Sequence, residues 1–123
     1  MKTRTQIIED MLLQFSVRPN LKGFQAAAVV TRLWMEAQDA GDPCPYITKL
    51  YISAAQELST TPSRIERAIR HAIDLLYLAA DAFDDETAGY LFPAHACEKG
   101  KLTNAELIAV IALLARRKER GGE

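Results

Sequence analysis

The run Ala55-Gln56-Glu57-Leu58-Ser59-Thr60-Thr61-Pro62-Ser63-Arg64-Ile65-Glu66-Arg67-Ala68-Ile69-Arg70-His71 decides the fold. It reads as two helices joined by a tight turn. Leu58 closes the first helix, Ser59-Thr60-Thr61 turns the chain, and Pro62 falls where a helix accepts a residue without an N–H donor. Thr61 is then the N-cap, its hydroxyl taking one of the orphan amides of the first turn. Beyond it Ile65, Ile69, Ala72, Ile73 and Leu76 recur at helical spacing and form one apolar stripe. The opposite side carries Arg64, Glu66, Arg67, Arg70, His71 and Asp74.

A helix that buries its back and offers arginines near its N-terminus suits a DNA major groove, as the second member of a helix-turn-helix unit. The spacing argues for this more strongly than the charge. Such units keep a small residue in the first helix where the second crosses it, and apolar residues on both sides of the turn. Ala55 is the small contact here, Leu58 precedes the turn, and Ile65 with Ala68-Ile69 supplies the facing ridge. Ser59 departs from the pattern, since glycine usually holds that turn position. A left-handed backbone there costs Ser on the order of 1 kcal/mol more than Gly. An ordinary helical hairpin with a solvated basic face is the alternative reading.

Bulk composition agrees with a helical domain. At 123 residues the chain supports one core without staples, and 49% hydrophobic residues with only 7% aromatics, rich in Ala and Leu, favour helices over sheets. Cys44 and Cys97 lie too far apart to read as a disulfide framework and suit a reducing, cytoplasmic setting. No apolar run approaches the roughly 20 residues that span a bilayer, so no membrane partner is expected. A formal net charge of −1 is awkward for a DNA binder, but the charge is polarised. Arg64, Arg67 and Arg70 face Glu66 alone, whereas Asp74, Asp81, Asp84, Asp85 and Glu86 follow downstream, and Arg116, Arg117, Lys118 and Arg120 add a basic end. Modest affinity as a monomer is the consequence, with two copies on paired sites supplying the rest.

In chain order, Thr3-Arg4-Thr5-Gln6 resembles a capping box, and Ile7, Ile8, Met11, Leu12 and Phe15 give a first amphipathic helix ended by Pro19-Asn20. A second helix is predicted from about Leu21 to Ala40, with Leu21, Phe24, Ala28, Leu33 and Trp34 in the core and Gly41 past its end. A third spans about Ile47 to Leu58, and the recognition helix 62–80 follows. Asp84-Asp85-Glu86 opens a short fifth helix, where carboxylates complement the dipole. Thr103-Asn104-Ala105-Glu106 is a capping box for a last helix whose Leu107, Ile108, Ile111 and Leu114 face inward. The expected architecture is all-α, about six helices in a single domain 1–123, with its core at about 5–117 and a frayed tail from 118.

Arg64 and Arg67 occupy the first two turns of the recognition helix, nearest base edges, where Arg grips guanine O6 and N7 with two parallel hydrogen bonds. Glu66 either accepts from a cytosine amino group or orients Arg70 by an i, i+4 pair. Ser63, Arg70 and His71 are placed for phosphates, and Lys49 is a further phosphate candidate ahead of the turn. Arg116-Arg117-Lys118 is another, if it is not simply a solvated helix end. No catalytic residue, metal or cofactor is expected. His95-Ala96-Cys97 with Cys44 or His71 matches no zinc spacing, and the acidic run at Asp81, Asp84, Asp85 and Glu86 lacks the EF-hand alternation.

Several runs also resemble a known family. Ile47-Thr48-Lys49-Leu50-Tyr51 and Thr60 through Ile73 look like the C-terminal DNA-binding domain of the sporulation initiation regulator, stage-zero protein A, of endospore-forming Firmicutes. Leu21-Lys22-Gly23-Phe24 and Lys101-Leu102-Thr103-Asn104-Ala105-Glu106-Leu107-Ile108-Ala109 extend the likeness to about Thr5–Arg117. The resemblance implies a response-regulator effector domain in which Arg64, Glu66 and Arg67 read a box of the TGTCGAA type. It also implies a last helix that takes part in head-to-tail dimerisation on tandem sites, and a contact with the RNA polymerase sigma subunit near Leu91-Phe92. Pro93 to Cys97 departs from the family there and is one residue shorter, and Ala28-Val29 replaces a polar Arg-Glu pair. Because effector-like sequence begins almost at Met1, the expectation is a unit without a receiver, either excised or free-standing. A protein-interaction module that antagonises a full-length relative is the competing function.

Overall fold

A computed structural model describes residues 1–79, 83–91 and 100–121. Among these residues there are six helices and no strand: α1 (Arg4–Gln14), α2 (Lys22–Asp39), α3 (Ile47–Glu57), α4 (Pro62–Leu78), α5 (Asp85–Leu91) and α6 (Asn104–Gly121). The fold is all-α. Among the described residues no helix is long and apolar enough to cross a membrane.

Side chains start four of the helices. Thr3 and Gln6 exchange both bonds of a capping box at α1, and Thr103 and Glu106 do the same at α6, with N···O distances of 2.8 and 3.1 Å. Thr61 Oγ1 accepts from the Arg64 amide at 3.2 Å, with Pro62 in the first turn of α4. Asp84 Oδ1 accepts from the Thr87 amide at 2.8 Å, and that bond holds the carboxyl below the usual carboxylate range. Three helices stop in one way. Past α1, α2 and α3 the chain turns left-handed at Ser16 (φ 61°), Gly41 (φ 107°) and Ser59 (φ 55°). The next amide then reaches back to close the last turn: Val17 to Leu12, Asp42 to Ala37 and Thr60 to Ala55.

α2 lies at the centre and packs against α1, α3, α4 and α6. Its buried Phe24, Ala26, Ala27, Val30, Trp34 and Met35 meet Ile8, Leu12 and Phe15 of the first helical segment, Ile65, Ile69 and Leu76 of α4, and Leu107, Ile108 and Ile111 of α6 in one core. Each fully buried aliphatic side chain of this kind contributes roughly 1.5–3 kcal/mol. Trp34 belongs to this core, as its place in an apolar stripe predicts. At Gly23 α2 comes against α4 backbone to backbone. A Cβ there would stand 2.5 Å from the Ala68 carbonyl oxygen and 2.7 Å from the Ala72 Cβ.

Several sequence-based boundaries shift. Leu21 and Ala40 cap α2 and are not part of it, and Leu21, Leu33 and Leu114 are only half-buried. α4 ends at Leu78 because Ala79 takes the C-cap; the predicted end at residue 80 lies outside the described residues. α6 does not fray at 118. It runs through Gly121, with Glu119 holding Arg4 Nε at 2.7 Å and Lys118 and Arg120 in the last turn, where cations complement the dipole. Asp81, and Phe92 through Cys97 with His95, also lie outside the described residues.

Candidate nucleic-acid interface

The turn between α3 and α4 is built as the spacing predicts. Ala54 and Ala55 are buried, Leu58 caps α3 and is half-buried, and Ser59 takes the left-handed conformation otherwise favoured by glycine. α4 leaves this turn with Ile65, Ile69, Ala72, Ile73 and Leu76 buried. Ser63, Arg64, Arg67, Arg70 and His71 are exposed on its outer side. Lys49, in the first turn of α3, is exposed as well.

The arginines of the first two turns are free. Among the described residues neither the Arg64 nor the Arg67 guanidinium has a hydrogen-bond or ion-pair partner. Both therefore keep their donors for an external acceptor. Glu66 is half-buried, and its Oε1 meets Arg70 Nη2 at 3.2 Å, the i, i+4 pair that its spacing allows. With Arg70 exposed and Glu66 only half-buried, the pair is well solvated and adds little to the stability of α4.

Glu66 is also held from behind. Asn104 Nδ2, at the start of α6, donates to the Glu66 carbonyl oxygen at 3.0 Å and to the Tyr51 hydroxyl oxygen of α3 at 3.1 Å. Burial pushes the Tyr51 phenol above its ordinary pKa, against the lowering effect of the Asn104 bond. Just before α6, the Leu102 amide donates to Tyr77 Oη at 3.1 Å, Tyr77 donates to the Leu91 carbonyl at 2.6 Å, and Lys101 Nζ pairs with Asp74 at 3.0 Å. The approach to α6 is thus fastened along α4. In the sequence Asn104 stands out only within a capping box and a run of family likeness; nothing local reveals which distant carbonyl its amide meets.

One phosphate candidate is spent inside the molecule. Arg116 Nη1 meets Asp39 at 3.0 Å, and its Nη2 reaches the Met35 carbonyl at 3.3 Å and Gln38 Oε1 at 3.1 Å. Arg117 Nη1 donates to Tyr90 Oη at 3.0 Å. Arg116 is therefore a clamp on the C-terminus of α2, whereas Arg117, Lys118 and Arg120 stay exposed. Where the resemblance places a polar Arg-Glu pair in α2, Ala28 is buried and Val29 half-buried. Among the described residues no cluster of His, Cys, Asp and Glu is arranged to hold a metal ion.

The helix pair thus has its apolar ridge buried, and Arg64 and Arg67 have no partner among the described residues. The model of the family described as the sporulation initiation factor Spo0A C terminal matches residues 8–114, from the first turns of α1 well into α6. The chain belongs to the Spo0A C-terminal family, a DNA-binding regulatory effector domain and not an enzyme.

Proposed function

We propose that this domain, residues 1–123 with its core at about 5–117, is a transcription regulator that reads a short G-containing duplex sequence with α4 in the major groove. α3 and α4 then act as a helix-turn-helix unit. The observation that carries the reading is the pair Arg64 and Arg67, exposed and without a partner among the described residues, on the first two turns of a helix whose back is buried. Each good bidentate Arg–guanine pair gives roughly 1–3 kcal/mol of discrimination. Glu66 accepts from a cytosine amino group or holds Arg70. Ser63, Arg70, His71 and Lys49 fasten the phosphates on either side, and Arg70 keeps donors for this beyond the one that Glu66 engages. With a net charge of −1 one copy gathers few phosphates, so two copies on tandem sites are the binding unit. The sigma subunit of RNA polymerase is the partner through which bound copies act, in the cytoplasm.

Fluorescence anisotropy tests the reading, with a TGTCGAA-type duplex and a scrambled duplex across a salt series. Arg67→Ala is expected to lose the preference for the box. Arg70→Ala is expected to weaken both duplexes equally and to lower the slope of log K against log salt by about 1. If both variants keep wild-type specificity and affinity at low salt, α4 is not the reading helix. A wild-type chain that binds neither duplex would instead be the protein-interaction module.

A further inference from the structure

We infer that Asn104 is a positioning residue for base readout: from the first turn of α6 it fixes the pose of the α4 turn that carries Arg64 and Arg67. The inference rests on the proposed reading of α4.

Three features of the geometry point to it. Both hydrogens of the Asn104 amide are spent on different helices, one on the Glu66 carbonyl at 3.0 Å and one on Tyr51 Oη at 3.1 Å. A single planar group therefore sets α3 and α4 relative to one another from outside the turn that joins them. The amide is itself held firmly, because Asn104 follows the Thr103 cap directly and the capping box with Glu106 fixes the backbone that carries it. The carbonyl it grips belongs to Glu66, which lies between Arg64 and Arg67, so a shift there moves both guanidinium groups at once.

The far end of α6 is equally constrained. Arg116 is tied to Asp39, Gln38 and the Met35 carbonyl, and Glu119 to Arg4. α6 is thus a strut with one end on the α1–α2 body and the other on the reading turn. Bidentate recognition of guanine depends on where the guanidinium fork stands, whereas phosphate attraction tolerates small displacements. Loosening Asn104 should consequently cost specific binding far more than general binding.

Two variants separate this role from fold maintenance. Asn104→Asp keeps size and suits a helix N-terminus, yet removes both donors. Asn104→Leu removes them without adding charge. Anisotropy with the box and the scrambled duplex is read well below each variant's melting temperature, which circular dichroism supplies. Both variants are expected to lower the box-to-scrambled affinity ratio roughly tenfold, the discrimination of about one bidentate pair. Scrambled binding should be unchanged for Asn104→Leu and uniformly weaker for Asn104→Asp. Tyr51→Phe keeps the bond to Glu66 and is expected to change the ratio less than about threefold. A wild-type ratio in both Asn104 variants, or an equal loss on both duplexes in Asn104→Leu, would overturn the role of Asn104. A wild-type chain with no preference for the box would overturn the reading of α4, and this inference with it.

Discussion

Ser59 and Ser16 hold backbones with φ of 55° and 61°, a region that costs a residue with a Cβ roughly 1–2 kcal/mol relative to the right-handed form. Ser59→Gly is therefore expected to stabilise the domain, by up to about 1 kcal/mol after the greater freedom of glycine in the unfolded chain is subtracted, measured as a rise in urea midpoint. Gly23 is the opposite case. Gly23→Ala should destabilise by about 1–3 kcal/mol, because the Ala68 carbonyl 2.5 Å from the new Cβ is backbone and yields only if two helices separate. Removing the second clash through Ala72→Gly should leave most of that loss in place, as a thermal melt of the double variant would show. Ser59 was readable because the turn pattern names a glycine-like position. Gly23 was not, since its role depends on a helix far away in sequence.

At the scale of one helix, α4 shows what periodicity can and cannot supply. The apolar stripe, the Thr61 cap and the exposed arginines follow from spacing within a single segment, and all three are present. The end of the helix is the least legible part, because the apolar pattern runs past Leu78 without a glycine or proline to stop it. Glu66→Gln distinguishes the two roles open to that side chain. If Glu66 only steers Arg70, the variant should tighten binding to both duplexes at low salt and leave their ratio unchanged. If it reads cytosine, the ratio should fall by roughly 1–3 kcal/mol. Thr61→Ala should cost about 1 kcal/mol of stability through the lost cap, with the box preference of the folded protein intact.

Across the whole molecule, charge does two separate jobs. Arg64 and Arg67 are exposed and unpaired among the described residues, while Arg4, Asp39, Arg116 and Glu119 join α1, α2 and α6. The bond from Arg4, then that from Arg116, holds the Asp39 carboxyl below its ordinary value of 3.8, and the same network raises the Arg4 guanidinium. A lowered carboxyl stabilises the fold fully above the unfolded value and ceases to do so as pH falls through the folded one. Acid unfolding should thus steepen below pH 3.8, and Asp39→Asn should flatten that limb in a series of melts. Sequence alone could not divide the basic residues in this way: Arg116 and Arg67 look equally available until Asp39, distant in the chain, is brought beside one of them. The contact at Gly23 carries a last consequence. With the Ala68 carbonyl oxygen and the Ala72 methyl already filling the space that a side chain would need, α4 has no room to sink closer to α2 at this point. On the proposed reading of α4, duplexes of differing groove width would meet a helix held at one depth there, and accommodation would fall to the long arginine arms and to the DNA itself.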